Sequence, residues 1–196
     1  MSSADHPRVI GVTGHRLNVL TAERAGQLGG EIAAVLTGIA GARAAEMILV
    51  SSLAEGADRI AADAALSAGM ILHALLPFAR DAYGQDFAGA ESQRDYARLL
   101  SRAAKITERP VARGTADMDA RAYEACGAEM VGLCDLLIAV WDGKDGRGIG
   151  GTRDVIEMAL QARKPVIWID SLFCLPPLLV SALPGGGRAL ERLAPS

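Results

Sequence analysis

A chain of 196 residues that is 51% apolar can bury one substantial core and is short for two. A formal charge of -3, with acids and bases mixed along the chain, and an aromatic content of only 4% argue against a polyanion partner and against a stacking platform for single strands, so no nucleic acid is expected. Cys126, Cys134 and Cys174 lack CxxC spacing and sit among apolar neighbours, and His6 and His73 lie apart from acids and thiols, so neither disulfides nor a metal site is expected. No secretory pattern opens the chain. Its longest apolar run, Leu172 to Leu183, is broken by Pro176-Pro177 and too short for a bilayer. The expectation is a soluble protein of the reducing cytoplasm with no membrane partner.

Along the chain, apolar runs of strand length alternate with longer stretches of helical period. Val9 to Thr13 reads as the first strand, and Thr21 is placed to cap a helix running to about Gly38. Met47 to Ser51 is a second strand, and Ala54 to Ala68 an Ala-rich helix closed by Gly69. Met70 to Leu76 is a third strand, stopped by Pro77, and Gln85 to Ala103 reads as one helix with Phe87, Tyr96, Leu99 and Leu100 on its apolar stripe. Lys105 to Glu108 is a short strand. Met118, Ala122, Cys126, Met130 and Leu133 recur at helical spacing, so this stretch reads as a helix with a buried face, and its Met and Cys residues are candidates to face a partner. Leu136 to Trp141 is a wholly apolar strand. A glycine-rich loop follows, then a helix from about Gly151 to Ala162, then a last strand at Pro165 to Ile169.

Strands apolar on both sides between helices imply a parallel sheet with both faces covered. The fold class is α/β, a Rossmann-like three-layer sandwich with a mainly parallel sheet. No repeat, low-complexity tract or linker divides the chain. Residues 1–196 therefore read as one domain, with a core at about 8–170 and a tail at 171–196 that carries no clear pattern.

The chemistry gathers just past the strand ends. Thr13, Gly14, His15 and Arg16 follow the first strand; Ser51, Glu55, Gly56 and Asp58 follow the second; Pro77 follows the third; Asp142 leads toward Gly150, Gly151 and Thr152. In a parallel sheet those ends share one edge, where ligands bind. Glycines running into a helix let backbone N–H groups approach an anion, and the helix start adds about half a positive charge. A phosphate is the natural guest, with Arg16 to grip it and His15 to donate or exchange a proton. Glu55 and Asp58 would repel a phosphate, so ribose hydroxyls suit them better. There is no Walker lysine-serine pair, no G-x-G-x-x-G in the first loop and no serine elbow, and nothing calls for a cofactor. Trp141 and Tyr123 read as packing residues.

The ordered pieces "GVTGHR", "SSLAEGADRIAADAAL", "LPFARDAYGQDF", "LIAVWDGK" and "GIGGTRDVIEMALQARKPVIWI" cover nearly the whole chain. Together they resemble the SLOG superfamily, the Rossmann-like group that includes the LOG enzymes and DNA-processing protein A. The resemblance implies a pocket for a nucleotide derivative, formed by the first loop and the Gly-Gly-Thr loop, and pairing into a homodimer through helices flanking it. LOG phosphoribohydrolases carry P-G-G-x-G-T-x-x-E, whereas here the leading proline is absent and Val155 stands at the glutamate position. The similarity is therefore to the branches outside LOG. Three functions compete: a sensor or binding module for a nucleotide-type small molecule; a phosphoribohydrolase splitting the N-glycosidic bond of a nucleoside 5'-monophosphate, with Glu55, Asp58, Asp142 or Glu157 as its carboxylate; and a DNA-binding protein, which the charge opposes. The missing carboxylate favours binding, while catalysis stays open.

Overall fold

The apolar runs become the strands of one sheet. The computed structural model describes residues 7–16, 21–144, 150–172, 175–180 and 191–192. Six parallel strands, β1 (Val9–Gly14), β2 (Ile48–Ser51), β3 (Ile71–Leu76), β4 (Lys105–Glu108), β5 (Leu136–Trp141) and β6 (Val166–Asp170), stand in the order β4-β3-β2-β1-β5-β6. Two short strands, β7 (Leu178–Val180) and β8 (Glu191–Arg192), continue the sheet antiparallel beyond β6. The tail thus adds two strands that its sequence pattern does not announce.

Alternation along each strand feeds two cores. In β5, Leu136, Ile138 and Val140 face the helices α1 (Ala22–Ala40), α2 (Ala57–Ser67), α3 (Arg80–Gly84) and α4 (Ala90–Arg102). Leu137, Ala139 and Trp141 face the opposite layer, α5 (Ala116–Leu133) and α6 (Thr152–Gln161). This is the expected three-layer α/β arrangement, with strands covered on both sides. Exposed strand positions include Ile71 at the start of β3, Lys105 on β4 and Leu179 on β7. Thr21 caps α1 as expected, accepting from the Arg24 N–H at 3.1 Å.

Topology then places the site. From β1 the chain steps outward through β2 and β3 to β4, and α5 brings it back to lay β5 on the other side of β1. The connections leaving β1 and β5 diverge, and a crevice opens between them at this switch point.

Two expected helices differ. The one expected from Ala54 begins at Ala57, because Leu53 (φ 57°) and Gly56 (φ 101°) both adopt left-handed backbone. The buried Leu53 is held there: its N–H donates to Ser51 Oγ at 3.1 Å, and its carbonyl accepts from Arg59 Nε at 3.0 Å. The helix expected from Gln85 to Ala103 begins only at Ala90, as α4, and the turn before it, which ends at Gly89 (φ 83°), parts it from the short α3. Phe87 lies in that turn and dives between Tyr83 and Tyr96, with ring centroids 5.0 and 4.8 Å away. Its burial imitates a helical stripe.

Cys126 and Cys134 are buried free thiols, and Cys174 and His6 lie outside the described residues. His73 bonds across the sheet to Thr107 Oγ1 at 2.9 Å. Of the α5 residues offered as candidates to face a partner, Cys126 and Met130 pack against the sheet, while Met118 near the helix start is exposed, as is Leu133 near its end. Among the described residues, no helix is long and apolar enough to cross a membrane.

Candidate functional site

The crevice between the ends of β1 and β5 is a cleft of about 320 Å³. One wall is the first loop, Thr13 to Arg16, and the opposite wall is Gly150, Gly151 and Thr152 at the start of α6. Ser52, Asp58, Pro77 and Asp142 also line it. Three expected residues do not. Ser51 is buried beneath the second loop, Glu55 turns toward α4 to accept a hydrogen bond from Ser92, and Gly56 serves the backbone. A Cβ on Gly56 would stand 2.4 Å from the His15 carbonyl oxygen. The first loop therefore rests directly on the start of α2, where the Ala57 N–H donates to His15 O at 3.1 Å.

His15 spans the sheet edge. Its Nδ1 lies 3.0 Å from Ser171 Oγ and its Nε2 3.6 Å from Asp142 Oδ1. Ser171 is buried and does not line the cleft, so this Ser-His-Asp array orients the imidazole and presents no nucleophile. Asp142 accepts from the Lys144 N–H at 3.0 Å, and Trp141 Nε1 donates to Lys144 O at 2.8 Å, which fixes the turn after β5. Arg16 is exposed at the mouth and forms no ion pair among the described residues.

The start of α6 is partly engaged. The N–H groups of Gly150 and Gly151 donate to Asp154 Oδ2 at 2.7 and 3.2 Å, so the helix supplies its own carboxylate to two of the expected phosphate donors. The Thr152 hydroxyl and the first-turn amides form the rest of that wall. Val155, at the position of the LOG glutamate, is buried in the α5–α6 core, and Glu157 pairs with Arg153 at 2.9 Å. No carboxylate stands where that signature needs one.

At the floor lie two buried groups. Asp58, 4% exposed, accepts from Ser52 Oγ at 2.7 Å, and burial pushes its carboxyl up to about 6 against the opposing pull of Arg16. Tyr83, 1% exposed, also lines the cleft, and burial together with the Asp58 charge raises its phenol well above the ordinary range. Sequence reasoning misses Tyr83, whose signal is its place in the segment after β3. Tyr123 donates to Asp86 and packs edge-on against Phe78 at 5.4 Å, as a packing residue does.

No family profile matches this sequence, and no curated protein matches it significantly. Solved structures do resemble it. DNA processing protein A from Streptococcus pneumoniae superposes with a TM-score of 0.55 at 20% identity, covering 83% of this chain and 50% of that one. The Helicobacter pylori protein of the same name, whose structure describes its single-stranded DNA binding mode, superposes at 0.54 with 18% identity, covering 84% and 66%. The chain shares the Rossmann-like α/β fold of these proteins. The molybdenum cofactor carrier protein from Chlamydomonas reinhardtii gives a TM-score of 0.46 at 17% identity, covering 82% and 74%.

The DNA processing proteins correct the expectation that nucleic acid is excluded, because a protein of this fold binds single-stranded DNA. Whole-chain averages are blind to local gathering. Arg16, Lys144 and Arg153 meet at one cleft despite the net charge of -3, and Tyr83, Tyr123 and Trp141 meet there despite sparse aromatics.

Proposed function

We propose that this chain is a ligand-binding module of the SLOG fold whose cleft takes a nucleotide-type phosphorylated small molecule. The observation that carries the reading is the juxtaposition of Arg16, with no ion pair among the described residues, and the start of α6 across one small cleft at the switch point. The volume of about 320 Å³ lies at the low end for ligand pockets, roughly 300–1,000 Å³, and suits one nucleotide better than two. Because Asp154 already occupies two amides of the α6 start, the Arg16 guanidinium is the stronger anchor.

Two variants test this. Arg16→Ala removes a charge-assisted contact worth about 1.5–3 kcal/mol, so affinity for a nucleoside monophosphate should fall at least roughly tenfold. Gly151→Asp places a second carboxylate at the α6 wall and should weaken binding in the same direction. Its fold should hold, because Gly151 has φ -78° and ψ 173°, where an aspartate is a good cap. Calorimetric titration that finds both folded variants binding like the parent would reject the pocket. A single-stranded oligonucleotide belongs in the same titration, since its binding in place of mononucleotides would assign the cleft to a strand.

One observation favours a second reading, hydrolysis of an N-glycosidic bond: Asp58 lines the cleft with its carboxyl raised to about 6, as a general acid would have. Mass spectrometry for released base after incubation with nucleoside monophosphates separates the two readings.

A further inference from the structure

A tyrosine that buries its ring and opens its hydroxyl into a cleft, with no protein partner for it, is placed to donate to whatever fills that cleft. Tyr83 is such a residue. Its ring is clamped at right angles or tilted against Phe87, Tyr96 and Tyr123 at 5.0, 5.8 and 6.3 Å, so the phenol cannot swing to another acceptor. The residue is 99% enclosed, yet it lines the cleft, and among the described residues its hydroxyl has no hydrogen-bond partner. Asp58 enters the same floor from the first turn of α2. It is close enough to Tyr83 for its charge to bear on the phenol, and its carboxylate, which accepts from Ser52 Oγ and from the Ser52 and Ala54 N–H groups, keeps a lone pair for one more donor.

We propose that Tyr83 and Asp58 form a subsite for the vicinal hydroxyls of a phosphorylated sugar, with Asp58 accepting from a hydroxyl and Tyr83 donating to a sugar oxygen. The inference rests on the reading of the cleft as a phosphate-binding pocket and adds what lies below the phosphate. A carboxylate repels a phosphate and accepts well from a neutral diol, so the anionic end of the ligand belongs at Arg16 and Thr152 and its sugar at the floor. Glu55, bonded to Ser92 outside the lining, is not part of the subsite. Such a site selects ribose over deoxyribose, because removing one sugar hydroxyl leaves buried polar groups unpaired.

The test uses base-free probes, so that the identity of the base does not matter. Ribose 5-phosphate and 2-deoxyribose 5-phosphate are titrated into the full chain and into Tyr83→Phe and Asp58→Asn, with circular dichroism as the check on folding. The parent should prefer the ribose compound by about tenfold or more. Tyr83→Phe, which keeps the ring packing, should shrink that preference while leaving the deoxy affinity nearly unchanged, and Asp58→Asn should do the same where it folds. Equal binding of both sugar phosphates by the parent, or an undiminished preference in Tyr83→Phe, overturns the diol subsite and leaves the phosphate pocket standing. If neither compound, nor any nucleoside monophosphate, binds the parent, the pocket and the subsite fall together.

Discussion

At the scale of single residues, Asp58 carries the clearest physical signature, because its burial is a standing cost. An ordinary aspartate has a value of 3.8, and here desolvation lifts the carboxyl to about 6 despite the Ser52 hydroxyl and the Arg16 charge, which both pull it down. Between these two values the folded state holds a proton that the unfolded chain has released. The contribution of Asp58 to stability is therefore fully present below about 3.8 and is lost as the pH rises through about 6, a change of roughly 3 kcal/mol. Asp58→Asn can still accept from Ser52 and has nothing to titrate. Its melting temperature relative to the parent should climb from about pH 4 to about pH 7 and then level off. A difference that stays flat across that range would mean the carboxylate is not desolvated. Tyr83→Phe should cost no stability at any pH, since its hydroxyl has no described partner to lose. The sequence marks Asp58 as polar at a helix start but not as buried. It gives no sign that Tyr83 faces a cavity, because a helical tyrosine beside Phe87 reads first as packing.

At the scale of elements, the central strands were legible because both of their faces are covered, so their apolar runs stand out; β5 spans the predicted residues, Leu136–Trp141. Helix boundaries were less so. Phe87 is buried in a turn and completes a 3.6-residue pattern across two helices, and Leu53 adopts a left-handed conformation that no propensity foretells. The glycines after β5 were legible as special, yet they divide the work differently from the sequence expectation. Gly150 has φ 81°, and a Cβ there would lie 2.8 Å from Glu124 N and 3.0 Å from Ala120 O on α5. Gly151 has ordinary extended backbone. Gly150→Ala should thus cost at least about 2 kcal/mol, from left-handed backbone and overpacking together, whereas Gly151→Ser should be neutral or stabilise by a few tenths. Urea denaturation of the two variants checks the division. Equal costs would mean that α5 does not hold the α6 loop this closely.

At the scale of the whole molecule, the cleft is where the two cores meet. Its first-loop and Asp58 walls rest on the layer of α1 to α4, while Trp141, Val155 and the α6 start belong to the layer of α5 and α6. The alternation of strands and helices implies a parallel sheet with its strand ends at one edge, so the edge that holds the cleft was readable; the strand order and the local charge were not, because alternation leaves the order open and averages over the chain dilute a few cations gathered at one place. A ligand bridging both walls favours the folded state as a whole, and a ligand present at a hundred times its dissociation constant adds about 2.7 kcal/mol. For a chain of this size that corresponds to a rise in melting temperature of roughly 5–10 °C. A thermal-shift screen of nucleoside monophosphates, ADP-ribose, NAD, cyclic dinucleotides and a single-stranded oligonucleotide should find at least one small phosphorylated compound with a rise of this size, and Arg16→Ala should cut it to about half or less at the same ligand concentration. A shift from the oligonucleotide alone would give the cleft to a nucleic-acid strand. A full screen without any shift, at concentrations up to millimolar, would remove the cleft as a nucleotide site, because a fold that brings both walls to one ligand cannot bind it without being stabilised.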